Sequence, residues 1–305
     1  MIEESFIRRL AFIKYLYKMA IEQSKKQEPL CSASILIFHD AVELFLQLSS
    51  EKLDFGKQQP NFMDYWDLFS SKIPIGGLTQ KESMRRLNKS RVALKHNGTL
   101  PSKLDIETFR ANVTSFFKEN TPLVFGINFS DISMVELIKC EDVKNNLKET
   151  ENLLQKNQIE ESLDKVALAF NQLIDDFEER LLKKYGRNPF FFGESMTFLS
   201  SFHLGISRGG DSDFERKLAE YIDKVKGSIE AFQKAVKIIS LGIDYRRYIK
   251  FRLLTPSISR TIDGNYVIQR FPWGSEGKPT SDDVQYCIDF VLEIAIKLQE
   301  FYYLI

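Results

Sequence analysis

The run Ser34-Ile-Leu-Ile-Phe-His39-Asp40-Ala-Val-Glu43-Leu-Phe-Leu-Gln47-Leu-Ser-Ser50 decides the fold. Its apolar residues cover most of a helix's circumference, so the helix they form must be buried. Against that background His39, Asp40, Glu43, Gln47 and Ser50 recur at spacings of three and four and form one polar stripe. Taking an imidazole and two carboxylates out of water costs on the order of several kcal/mol unless they find partners. The stripe therefore needs counter-groups or a water-filled cleft.

Helical periodicity extends outward from this run in both directions. Residues 2–26 carry Phe6, Leu10, Ile13, Tyr17 and Ala20 on one face, and Pro29 suits the first turn of the buried helix, which should reach Leu53. Residues 54–78 hold Gly56, Pro60, Pro74, Gly76 and Gly77 and read as a connection with one short helix near Tyr65–Phe69. Thr79 and Glu82 have the spacing of a capping box, so a third helix should start there and stop at Asn97-Gly98. Pro101 and Ser102 open a fourth helix to about Lys118, and Thr121-Pro122 with Gly126 marks a boundary. Beyond it, helices are expected at 131–156, 159–185, 191–205, 212–240 and 241–253. Ser257–Ile262 and Asn265–Phe271 alternate around Asp263-Gly264, a strong hairpin signal. Thr280 and Asp283 then cap a last helix. The expected class is all-α: a four-helix unit at 1–125 and a helical domain at 126–305 carrying one β-hairpin near 257–271.

Composition bounds the function. The 305 residues suffice for two domains, and 42 Lys+Arg against 42 Asp+Glu exclude a globally basic nucleic-acid binder. Cys31, Cys140 and Cys287 are widely separated and show no CxxC spacing, which argues against a disulfide framework or a structural zinc site. No leader or uninterrupted apolar span is evident, because His39, Asp40 and Glu43 break the best candidate. A cytoplasmic protein without membrane attachment is the expectation.

The third helix carries the chemistry. Met84, Leu87 and Leu94 define its inward face, and Arg91 lies on that face, where it could pair with Asp40 or Glu43. His96 follows in the last turn, where the helix dipole favours an imidazolium. Lys81, Arg85, Lys89 and Lys95 make the same segment locally basic, a surface on which a phosphate would meet several cations. The blander reading is a structural Arg91 ion pair and a capping His96. A His39–Glu43–His96 metal site has no recognisable motif, so neither metal nor cofactor is expected.

Arg91-Val-Ala-Leu-Lys-His96, an RxxxxH motif near the end of a helix in a four-helix unit, resembles the HEPN superfamily over about residues 2–120. The helix with Ala41-Val42-Glu43-Leu44 is similar in character to that family's second helix. The resemblance implies a metal-independent endoribonuclease of a bacterial defence or toxin-type system. It would leave 2′,3′-cyclic phosphate and 5′-OH ends at a site shared by two copies in a homodimer. Arg91 and His96 would be catalytic, with His39, Asp40, Glu43 and Asn97 in support. Val92 stands where the family often has a polar residue. The rival reading is therefore an inactive scaffold, adaptor or sensor that binds a protein or nucleic-acid partner.

The second domain speaks less clearly. Asp244–Arg252 interleaves cations and aromatics, so Arg246 and Arg247 are candidate RNA contacts, and the hairpin adds Arg260 and Arg270. The alternative is a helix that turns its aromatics inward. Gly274–Lys278 fails as a phosphate loop because Pro272 and Pro279 occupy two required positions. Gly205–Gly210 lacks a preceding strand, and His203 reads as a core histidine.

Overall fold

The structure is a computed structural model describing residues 3–56, 60–73, 76–193, 213–261, 263–270, 272–274 and 277–304. Among these the chain is all-α apart from one two-stranded antiparallel hairpin, and it divides into two compact units, Met1–Leu137 and Ile138–Ile305.

The first unit contains α1 (Glu4–Ser24), α2 (Ser34–Lys52), α3 (Asp64–Phe69), α4 (Lys81–Asn97) and α5 (Lys103–Phe125). Helix α2 is the centre, with Ile35, Phe38, Ala41, Val42, Phe45, Leu46 and Leu48 almost fully buried. Phe45 meets Phe116, Phe117 and Phe125 of α5 edge-on at centroid distances of 5.4, 5.6 and 5.6 Å, the arrangement that aromatic quadrupoles favour. The stretch Leu30–Lys52 is long and apolar enough to cross a membrane, but 56% of its most apolar window is buried inside the structure. It serves as the core helix of the unit.

Several boundaries differ from expectation for identifiable reasons. Thr79 does not cap α4. Its N–H donates to Asn120 Oδ1 at 2.9 Å, Gln80 takes the position before the helix with φ 63°, and Glu82 pairs with Arg85 instead. Asn120 is fully buried, so its carbonyl oxygen needs a donor, and the Thr79 amide supplies it. Helix α5 runs through Pro122 to Phe125 rather than ending near Lys118. The carbonyl left without a helical donor belongs to Lys118, an exposed residue, so solvent can serve it.

The boundary between the units follows Leu137, not residue 125. Lys14 Nζ donates to the carbonyls of Ser130 and Ile132, and Phe129 stacks on Phe117 at 4.5 Å, which binds 126–137 to the first core. Residues 129–140 accordingly form two short 3-10 turns, Phe129–Asp131 and Met134–Leu137, with extended chain between and after them, and helix resumes only at α6 (Glu141–Gln155).

The second unit continues with α7 (Ile159–Tyr185), α8 (Asp213–Ser240), α9 (Tyr245–Leu254), β1 (Ser257–Arg260), β2 (Tyr266–Gln269) and α10 (Ser281–Leu304). Phe170, Phe251 and Phe290 form its aromatic centre, with centroids 4.9 to 5.9 Å apart. The hairpin pairs Ser257 with Gln269 and Arg260 with Tyr266, and Gly264 supplies the positive φ of 85° at its tip. Three polar contacts hold it to α7: Arg270 to Asp164, Tyr266 to Asp175 at 2.8 Å, and Arg260 to Glu179 at 2.7 Å. Thr280 and Asp283 exchange the expected capping bonds at the start of α10. Residues 191–193 are not helical, while the rest of the expected 191–205 helix, His203 and Gly205–Gly210 lie outside the described residues.

The Thr79–Asn120 bond sets the entry of α4 onto α5. Asn120→Ala strands a part-buried amide and should cost about 1–3 kcal/mol. Trp66 and Trp273 are the two tryptophans of the chain. Urea unfolding followed by Trp66 fluorescence in a Trp273→Phe background should therefore show a lower midpoint at unchanged slope.

Candidate functional site

Helices α2 and α4 of the first unit bring the chemical residues together. His39 is 3% exposed and its Nε2 lies 3.0 Å from Asn88 Oδ1 on α4. An amide oxygen only accepts, so Nε2 carries the hydrogen and donates it. The ring stacks on Phe62 with centroids 4.4 Å apart and planes 24° from parallel. Its other nitrogen, Nδ1, makes no hydrogen bond and faces Glu43 Oε2 at 3.6 Å and Asp40 Oδ1 at 3.8 Å. Burial pushes the His39 pKa below its ordinary 6.5, and the nearby Arg91 charge pushes the same way. Glu43, the Asn88 bond and Asp40 oppose them without reversing the shift. Beside the same carboxylate, burial and the Glu43 charge raise the Tyr65 phenol.

The stripe is thus met by Asn88, and the expected Arg91 pair with Asp40 or Glu43 does not form. Among the described residues, half-buried Arg91 makes no hydrogen bond or ion pair. Asp40 is exposed and Glu43 partly so, which leaves both carboxylates solvated. The connection before α4 supplies Phe62, just ahead of the short helix, and Tyr65 within it, where a short helix is expected. Asn88 was overlooked although it lies four residues after Met84 and three before Arg91, on the inward stripe of α4. The aromatic density of Phe62-Met-Asp-Tyr65-Trp66-Asp-Leu-Phe69 was the available signal that this connection is packed.

His96 and Asn97 are exposed on the last turn of α4, and His96 is not part of the His39, Asp40 and Glu43 cluster. Gly98, with φ 66°, ends the helix there, and the Thr99 N–H closes it on the Ala93 carbonyl at 3.2 Å. Of the four α4 cations proposed to face RNA, Lys81 is paired with Asp67 and Arg85 with Glu82. Lys89 and Lys95 are exposed and carry no ion pair among the described residues.

In the second unit Arg247 is held by Glu293 at 2.6 Å and lies over Phe290. Tyr248 and Phe251 are buried in the core and cannot stack on bases, while Arg246 is exposed. Two of the three aromatics of α9 thus turn inward, while Tyr245 is 39% exposed. Comparison with family models, with curated proteins and with solved structures finds no match to the chain.

Asn88 and Arg91 should respond oppositely to substitution. Asn88→Ala leaves the buried His39 Nε2–H unpaired and should cost about 1–3 kcal/mol. Arg91→Gln removes an unpaired, solvated charge and should change stability by less than about 1 kcal/mol. Chemical denaturation of the two variants measures the contrast.

Proposed function

We propose that the chain is a metal-independent endoribonuclease of the HEPN type, acting in a bacterial defence or toxin system through a homodimer. The observation that carries this reading is the state of Arg91 and His96. One is a half-buried guanidinium without a counter-ion, the other an exposed imidazole, and both are on the final turns of α4. An unpaired Arg can take up charge on a phosphate, and an exposed imidazole is within reach of a bound ribose as a general acid or base. In this reading His96 takes the 2′-OH proton or returns one to the leaving 5′-oxygen. Arg91 stabilises the charge that accumulates on the phosphate. Lys89 and Lys95 hold the RNA backbone beside them.

Helix geometry supports the two-copy form. Residues five apart differ by about 7.5 Å along a helix axis and about 140° around it, so Arg91 and His96 diverge on one α4. A second copy would let the Arg91 of one protomer meet the His96 of the other. Val92, Leu100 and Leu104, on and after this end of α4, are 42%, 57% and 72% exposed and are apolar side chains available to such a contact. The exposed Val92 equally suits a second reading, an inactive scaffold that keeps the contact and lacks the chemistry.

The test is incubation with total RNA in excess EDTA and chemical mapping of the ends. Wild type should leave 2′,3′-cyclic phosphates, and His96→Ala and Arg91→Ala should each lower cleavage by about 10²–10⁴-fold. Co-purified Arg91→Ala and His96→Ala chains should regain up to about a quarter of wild-type cleavage if the site is shared across the dimer. Intact RNA with wild type selects the scaffold.

A further inference from the structure

His39 has one ring nitrogen satisfied and one that is not. Because Nε2 donates to Asn88, a neutral ring places its lone pair on Nδ1. That lone pair is buried, forms no hydrogen bond, and faces one oxygen each of Glu43 and Asp40. Three electron-rich atoms, all within 4.8 Å of one another, converge there. At 3.6 and 3.8 Å the carboxylates lie beyond hydrogen-bond length from Nδ1, so a proton on that nitrogen would not bridge them well. A metal ion would reach all three.

We propose that His39 Nδ1, Asp40 and Glu43 form a binding site for one divalent transition-metal ion, Zn²⁺ or Mn²⁺. Zinc with bonds near 2.0–2.1 Å sets its ligand atoms about 3.3 Å apart, so the two observed His–carboxylate separations need to contract by only a few tenths of an ångström. Imidazole with two carboxylates suits these ions, whereas Mg²⁺ and Ca²⁺ prefer all-oxygen sites. The supporting groups are also present. Asn88 accepts the hydrogen of the opposite ring nitrogen, as outer-sphere carbonyls do for metal-bound histidines, and Phe62 fixes the ring plane. His39 and Glu43 are one turn apart on a well-packed helix, with Asp40 adjacent. Asp40 and Glu43 side chains are 60% and 40% exposed, which gives the ion an entry path and lets water complete its coordination. Two carboxylates outweigh the single nearby charge of Arg91. The site is separate from His96, and it does not depend on the ribonuclease reading.

The test uses full-length protein stripped with chelator, desalted, and titrated calorimetrically with Zn²⁺ or Mn²⁺, with Mg²⁺ for comparison. One Zn²⁺ or Mn²⁺ per chain should bind and raise the melting temperature, and Mg²⁺ should bind at least tenfold more weakly. Glu43→Gln and Asp40→Asn should each weaken binding tenfold or more. Both positions are solvated, so the variants should keep the wild-type circular dichroism. His96→Ala and Cys140→Ser should bind as wild type does. Absence of saturable binding, binding that survives both carboxylate variants, or binding lost with His96→Ala or Cys140→Ser would overturn the proposal.

Discussion

A helix that is apolar nearly all round cannot be left in water, and the first unit is organised by that constraint on α2. Helix α1 covers one side of it, the Phe116–Phe117 ridge of α5 another, and α4 a third, with Phe45 in edge-on contact across the middle. The polar stripe is the seam where this enclosure stops. His39 is on the buried side of the seam and Asp40 on the wet side, one residue and about 100° apart. Both the hydrogen bond to Asn88 and the convergence on Nδ1 follow from that placement.

Helix α4 divides its labour along its length. Its first turns anchor it through two inward apolar residues, Met84 and Leu87, both fully buried. Its last turns emerge from the core and carry Arg91, Lys95 and His96 into solvent. The same helix thus anchors one end in the core and offers the other to a ligand, with Gly98 setting where the offering ends. Chemistry placed at that end can vary without disturbing the packing that positions it.

The class of fold was legible because periodicity reports burial directly, and α2, α7 and the Asp263-Gly264 hairpin announce themselves in that way. Boundaries were less legible wherever a tertiary contact replaced a local one. Thr79 has the chemistry of a cap, but the buried Asn120 needs its amide more, and nothing in the local sequence reveals that demand. Pro122 resembles a stop signal until the exposure of Lys118 is known. At the site, the side chains of the stripe were visible from their spacing, whereas their partner was misassigned. Charge made Arg91 conspicuous, and Asn88, one turn earlier on the same face, made the contact because its short side chain fits beside a buried ring. The place of Phe62 against the imidazole is hidden by the glycines and prolines of the connection around it.

The hairpin of the second unit has a consequence of another kind. Its ties to α7 through Arg260 and Arg270 are charged, that of Arg260 exposed and that of Arg270 to a nearly buried Asp164, while the Phe170–Phe251–Phe290 centre is dry. Added salt screens the first kind of contact, and a strongly excluded salt such as sulfate strengthens the second. One unit therefore contains two parts that answer the same solute in opposite directions. Its edge loosens under the condition that tightens its centre, so ionic strength tunes how firmly the strands lie down without threatening the fold beneath them.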